Sequence, residues 1–420
     1  MVQAALQNPV GVSAAQCRSC GKVGLEKILS LGETPLANAL LSEEQLDQPE
    51  PTWPLVLGWC SECALVQITE TVPPDTLFRE YAYFSSFSDT MVRHAKEIAH
   101  SLTGTLKLNA QSLVVEVASN DGYLLQWYKQ AGVPVLGIEP ARNIAKMAEV
   151  QKGIPTICEF FGRDLAKQLV RKGQLADVIH ANNVLAHVPD LNGVIAGFKT
   201  LLKPDGVVVV EAPYLKDLID HVEFDTIYHE HLCYFSLTSL DRLFRRHGLQ
   251  IVDVEHLPIH GGSLRVFAQH FEAAIRPSIS VQRMLTQEDE WAYRESFYRD
   301  FGLRVDDLRT NLVTLLKRLK SENKRIAVYG ASAKGSTLLN YFGIGAELLD
   351  YVVDRSTIKQ GRFTPGTHLK IHDPEHLLED KPDYCLLLTW NFAEEILAQQ
   401  KAYRAQGGKF IIPIPNVRVA

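Results

Sequence analysis

The chain has 420 residues, enough for two or three domains at roughly 150 residues each. Its composition, 46% hydrophobic and 22% charged, is that of a soluble globular protein, and a net charge of -6 with no strongly basic segment argues against a nucleic-acid partner. No run of about 18 apolar residues marks a membrane helix, and Met1–Leu6 show no basic stretch ahead of an apolar core, so a cytoplasmic location is expected.

Residues 1–79 form the first segment. Prolines at 35, 49, 51, 54, 73 and 74 break regular structure, so this unit buries little apolar area by itself. It holds Cys17-x2-Cys20 and Cys60-x2-Cys63. Two such pairs offer four thiolates to one tetrahedral ion, which suits zinc. Four sulfur ligands leave no position open for water, so the expected site is structural. The scattered Cys158, Cys233 and Cys385 read as packing residues.

Residues 80–280 alternate strands and helices. Leu113–Val117, Val135–Ile138, Val178–Ala181 and Val207–Glu211 read as buried parallel strands, and a helix is expected over Gly122–Ala131. This is the rhythm of a doubly wound α/β sheet. The turn after the first strand, Ala118-Ser119-Asn120-Asp121-Gly122, is not the Gly-x-Gly-x-x-Gly that a pyrophosphate needs at a helix N-terminus. S-adenosylmethionine (SAM) carries no phosphate; it carries a sulfonium, an amino-acid end and a ribose. Glu116, Asn120 and Asp121 supply acceptors for those groups, and Gly122 lets the backbone come close. Glu139, ending the second strand about twenty residues on, is placed for the ribose hydroxyls. Phe160 offers a surface for adenine or packs in the core, and Asn182 and Asn183 follow the next strand on the carboxyl edge.

From residue 281 a charged stretch up to Glu322 reads as one or two amphipathic helices. The alternating rhythm then returns, with strands expected at Arg325–Tyr329, Leu349–Val353, Tyr384–Leu388 and Phe410–Ile412, so residues 281–420 form a second, smaller Rossmann-like unit. Gly330-Ala331-Ser332-Ala333-Lys334-Gly335 follows a strand and opens a helix. It is either a plain turn or, through Ser332 and Lys334, a phosphate site. In the middle segment, His260-Gly261-Gly262 permits close approach of a ligand, and Arg265 either pairs with a phosphate or sugar oxygen or is solvated.

Taken in order, these elements resemble the three-domain sugar C-methyltransferases that act on nucleotide-linked 4-keto deoxysugars. The resemblance spans nearly the whole chain. It rests on the paired cysteines, Tyr81-Ala82-Tyr83-Phe84-Ser85-Ser86, Val115 to Gly122, Ala181 to His187, Tyr228-His229-Glu230-His231, His260 to Arg265 and Gly330 to Gly335. It implies a zinc-binding module with Cys17, Cys20, Cys60 and Cys63 as ligands. It implies a class I methyltransferase domain and a C-terminal domain that contacts the nucleotide. It also implies His231 as general base, with Tyr228, Glu230, His187 and either Tyr81 or Tyr83 lining the site.

The chemistry is consistent with those residue types. A ketone acidifies the adjacent C–H, and histidine is a suitable base near neutral pH. Tyr228 can stabilise an enolate oxygen, and Glu230 can orient the imidazole. Metal binding by His229 and His231 is not expected, because two histidines complete no site. The alternatives are an O- or N-methyltransferase on another small molecule, and a non-catalytic SAM- or nucleotide-binding scaffold.

Overall fold

The computed structural model describes residues 12–78 and 85–420. Among these residues three sheets form. The first begins as an antiparallel meander of β1 (Val12–Gln16), β2 (Val23–Thr34), β3 (Trp53–Trp59) and β4 (Val66–Ile68). Its turns carry the two cysteine pairs.

The second sheet has a parallel centre. β5 (Val114–Val117), β6 (Val135–Ile138), β7 (Thr156–Ile157), β8 (Ala176–Asn182) and β9 (Leu202–Pro213) lie in the order β9-β8-β5-β6-β7. Every residue of β5 and β6 is buried, as expected of strands covered on both faces. The helix expected from Gly122 begins only at Leu125 and runs to Gln130. The delay has a local cause: Gly122 has φ 76°, outside the right-handed helical region, and a Cβ there would meet Ile154 Cγ1 at 2.8 Å.

Beyond β9 the chain departs from the sequence expectation. β10 (Cys233–Tyr234) does not join the central sheet; it pairs antiparallel with β4, Cys233 opposite Gln67 and Tyr234 opposite Val66. The middle segment thus completes the N-terminal sheet. A hairpin of β11 (Leu249–Leu257) and β12 (Ser263–His270) follows, and β12 adds antiparallel to β9. The seven-stranded order is β11-β12-β9-β8-β5-β6-β7.

The linker is two helices, Ile279–Glu288 and the 27-residue Glu295–Ser321. Glu288 is fully buried and accepts the N–H groups of Leu237 (2.8 Å) and Thr238 (2.6 Å), capping the helix Leu237–Arg246 and tying the linker to the central domain. The last sheet contains β13 (Ile326–Tyr329), β14 (Val352–Val353), β15 (Ile371–His372), β16 (Tyr384–Leu387), β17 (Lys409–Ile412) and β18 (Arg418–Val419). Its order is β15-β14-β13-β16-β17-β18, parallel except for β18. No helix among the described residues is long and apolar enough to cross a membrane.

Candidate active site and metal centre

The sulfur atoms of Cys17, Cys20, Cys60 and Cys63 all lie within 4.8 Å of one another. A tetrahedron with Zn–S bonds of about 2.3 Å needs sulfurs roughly 3.8 Å apart. Two of the pairs here, Cys17–Cys63 and Cys20–Cys60, stand at 3.5 Å. Three of the four residues are buried, so the donor set fits a closed zinc site. The first knuckle is also docked on the central domain. Asn192 Nδ2 donates to the carbonyls of Arg18 (2.9 Å) and Ser19 (3.1 Å), and Arg246 Nη1 donates to that of Ser19 (2.6 Å).

The central sheet changes direction between β5 and β8, where doubly wound sheets open a crevice at their carboxyl edge. The loop after β5 lines it. Ala118 (φ 52°) and Asn120 (φ 49°) are in left-handed conformations rare for non-glycine residues, as is Asn183 (φ 57°) after β8. Asn120 N–H donates to Glu139 Oε2 at 2.9 Å, and Ala141 N–H to Oε1 at 2.8 Å. Burial raises the Glu139 carboxyl, and these two donors partly offset that. Lys152 pairs with Asp121 at 3.1 Å, and Ser86 donates to the same carboxylate. Ser85 N–H donates to Asn120 Oδ1 (2.9 Å).

Four buried acceptors here, Glu116 Oε2, Ser119 Oγ, Asp121 Oδ1 and Asn182 Oδ1, have no hydrogen-bond partner among the described residues. Desolvation, then the charges of Asp121 and Glu139, push the Glu116 carboxyl well above the usual range. A cation rich in hydroxyl and amino donors relieves both conditions, whereas a phosphate aggravates them. The residues therefore fit SAM. Phe160 remains exposed, while its neighbour Phe161 stacks on Phe198 with centroids 5.6 Å apart.

The loop between residues 223 and 233 carries the other cluster. His231 Nδ1 faces the Thr226 carbonyl at 2.9 Å, so Nδ1 carries a proton; Tyr228 Oη lies 3.0 Å from Nε2. The His187 ring packs edge-on to His231, centroids 4.8 Å apart, and desolvation lowers it to about 4. Glu230 Oε1 accepts from Asn38 Nδ2 at 2.6 Å. The Thr226 backbone carbonyl fixes the His231 ring through Nδ1. His229 turns to the Pro54 carbonyl (3.2 Å), away from the partners of His231, and the two do not share a strand face. Tyr81, Tyr83 and the His260 side chain lie outside the described residues.

Arg265, on β12, donates through Nε to Glu211 (2.6 Å) and through Nη1 to Glu255 (2.7 Å), an internal ion-pair network rather than either environment expected for it. Gly261 (φ 94°) lies against Glu223, whose carboxylate a Cβ there would meet at 2.4 Å. In the C-terminal sheet the direction changes between β13 and β16. Ser332 caps the helix Ala333–Phe342 by accepting from Gly335 N–H, and Lys334 Nζ sits 4.7 Å over the Trp390 ring. Trp390 Nε1 donates to the buried Asp225 at 2.7 Å. The mouth of this crevice thus abuts the loop that holds Tyr228 and His231. Lys152, Asn38, Asp225 and Trp390 escaped the sequence reading; only Trp390, just past the end of β16, carried a usable signal.

Comparison with known proteins bears on this arrangement. Residues 258–415 match a family model described as "C-methyltransferase C-terminal domain", residues 91–254 a "Methyltransferase domain" and residues 17–78 a "Putative zinc binding domain". The chain is 38% identical over 407 residues to C-methyltransferase NovU of Streptomyces niveus, a match covering 96% of each protein. The chain belongs to this C-methyltransferase family. As a member, it is a SAM-dependent methyltransferase with a zinc-bearing N-terminal module, a Rossmann-like methyltransferase domain and a further C-terminal α/β domain. A more distant match, 21% over 214 residues, is the ubiquinone biosynthesis O-methyltransferase of Bartonella bacilliformis, covering 49% of this chain and 73% of that one. Among solved structures, PH0226 from Pyrococcus horikoshii superposes with a TM-score of 0.37 at 14% identity, covering 47% of this chain and 96% of that one.

Proposed function

We propose that this C-methyltransferase adds a methyl group to a carbon adjacent to the ketone of a nucleotide-linked 4-keto deoxysugar, with His231 as the base that receives the proton. The observation that carries this reading is the placement of His231: its Nδ1–H is fixed on Thr226 and its Nε2 faces Tyr228 in a half-buried loop. A histidine so held can take the C–H proton that carbon methylation must remove. The neutral His187 beside it adds no charge to oppose an imidazolium.

Glu116, Asp121, Asn120, Glu139 and Asn182 are the residues we assign to SAM, with Ala118, Gly122 and Asn183 shaping the backbone around it and Phe160 beside the adenine. Bound there, SAM would supply an electrophilic methyl group on a sulfonium. The chain's part is to take the C–H proton, to hold the enolate oxygen and to fix carbon and methyl in line. We place the nucleotide in the crevice between β13 and β16, with Lys334 and Ser332 toward the diphosphate and Gly261 flanking the sugar. The test is a mass-spectrometric screen of dTDP-, GDP- and CDP-linked 4-ketosugars with SAM. The reading expects a gain of one methyl on one of them; methylation only of compounds without a ketone overturns it.

A further inference from the structure

We propose that Arg242 and Arg246, two residues of the methyltransferase domain, are positioning residues for the zinc centre of the N-terminal module. They hold both of its knuckles and offset its charge, so the methyltransferase domain sets how tightly the ion is kept. The two knuckles are the same turn used twice. In each, the N–H of the first cysteine donates to the carbonyl five residues on, Lys22 (2.8 Å) or Leu65 (2.9 Å). In each, the residue four positions on donates back to that cysteine's carbonyl at 2.9 Å, and that residue, Gly21 (φ 78°) or Ala64 (φ 60°), is left-handed. The residue before the second cysteine is then Ser19 in one knuckle and Glu62 in the other. The helix Leu237–Arg246 engages both of these equivalent positions. Arg246 Nη1 donates to the Ser19 carbonyl (2.6 Å) and Oγ (3.0 Å), and Arg242 Nη1 donates to the Glu62 carbonyl (3.1 Å). A separation of four residues puts the two arginines on one helix face, about 6 Å apart along its axis.

Charge points the same way. A zinc ion on four thiolates is a dianion. Arg245, on the same helix, is neutralised by Asp241 at 2.7 Å, whereas among the described residues Arg242 and Arg246 pair with no carboxylate. Their two positive charges are therefore free to offset the metal centre. The Arg242 guanidinium is further held over the Tyr293 ring of the linker, 5.2 Å from its centroid. Cys20 is the one ligand that is only half-buried. With Glu62, Cys63, Arg242, Arg245 and Arg246 it lines a groove of about 490 Å3. A departing ion has its exit there, past the two arginines. Groups that fix metal ligands from behind in this way govern affinity although they touch no metal.

The experiment mixes the zinc-loaded, full-length protein with excess 4-(2-pyridylazo)resorcinol and follows zinc release by absorbance, with SAM binding by calorimetry as the check that the central domain is folded. Arg242→Ala and Arg246→Ala should each speed release about tenfold, and the two together ~100-fold, with SAM affinity unchanged. Arg245→Ala, which removes a paired charge and no knuckle contact, should release zinc at the wild-type rate. Arg242→Lys/Arg246→Lys keeps both charges and should recover most of the loss. Release from the wild type should quicken with added salt, which screens exposed charges, and release from the double alanine variant should lose most of that dependence. Wild-type release from the double alanine variant overturns the proposal. Equal acceleration by Arg245→Ala also overturns it, because helix stability alone would then account for the effect. If the double alanine variant fails to bind SAM, the salt series on the wild type decides: release independent of salt overturns the role of the two charges, and with it the proposal.

Discussion

Asn38 Nδ2 donates to Glu230 Oε1 at 2.6 Å across 192 positions of sequence. One residue belongs to the zinc-bearing module, the other to the loop that holds Tyr228 and His231. Together with the pairing of β10 and β4, this makes the N-terminal module part of the wall that positions the loop. Asn38→Ala should lower kcat by roughly tenfold, the worth of one hydrogen bond to a charged group. Zinc content and SAM affinity should be unchanged, as read by metal analysis and calorimetry.

The zinc site should matter for stability rather than for chemistry. Cys60→Ser removes one of four thiolates from a closed donor set, and the knuckles anchor strands that the central domain completes. Metal content should fall from one equivalent, and the melting temperature by about 10 °C or more, given a loss of several kcal/mol. The checks are elemental analysis and calorimetric melting. An unchanged melting temperature in a metal-free variant would contradict this role.

Glu116 gives a pH signature. Burial and its acidic neighbours raise its carboxyl in the free protein. A cation bound beside it favours the ionised form and so lowers that pKa. Binding must therefore release protons, and affinity must rise as pH increases above the usual carboxylate range, levelling once Glu116 is ionised in the free protein. Calorimetry of SAM binding in buffers of different ionisation heat should show up to one proton released per site. Glu116→Gln should abolish both the release and the slope.

Lys334 faces the crevice of the C-terminal sheet, over Trp390 and near the carboxyls of Glu223 and Asp225. If it meets a diphosphate, Lys334→Ala should raise KM for the nucleotide sugar about tenfold, a charge-assisted contact of roughly 1–2 kcal/mol, and leave kcat within a few-fold. Steady-state kinetics separates the two. A fall in kcat at constant KM points instead to a role in holding the 223–231 loop.

What could be read from the sequence follows the range over which each signal acts. The cysteine pairs and the apolar runs of β5 and β6 are local patterns, and the acid at the end of β6 stands at a spacing that the strand–helix–strand unit fixes. The convergence of four thiols and the contact of Glu139 with the Asn120 N–H follow from those patterns. The helix start at Leu125 was missed because left-handed φ values at residues 118, 120 and 122 hold the chain in a loop. β10 is a two-residue strand defined wholly by its partner, and no periodicity announces it. Asn38–Glu230, Lys152–Asp121 and Trp390–Asp225 are contacts between distant segments, set by how the sheets dock. The ion-pair network of Arg265 has the same origin: β12 places it directly opposite Glu211 and Glu255.

The central claim is that the methyl goes to a carbon beside a ketone. The most direct test is turnover with SAM carrying a 13C-labelled methyl, followed by NMR of the nucleotide-sugar product. The account predicts a methyl carbon bonded to a ring carbon adjacent to the keto carbon, seen as long-range coupling of the methyl protons to that carbonyl. A labelled methyl attached to oxygen or nitrogen, with the α-keto hydrogens intact, would contradict it.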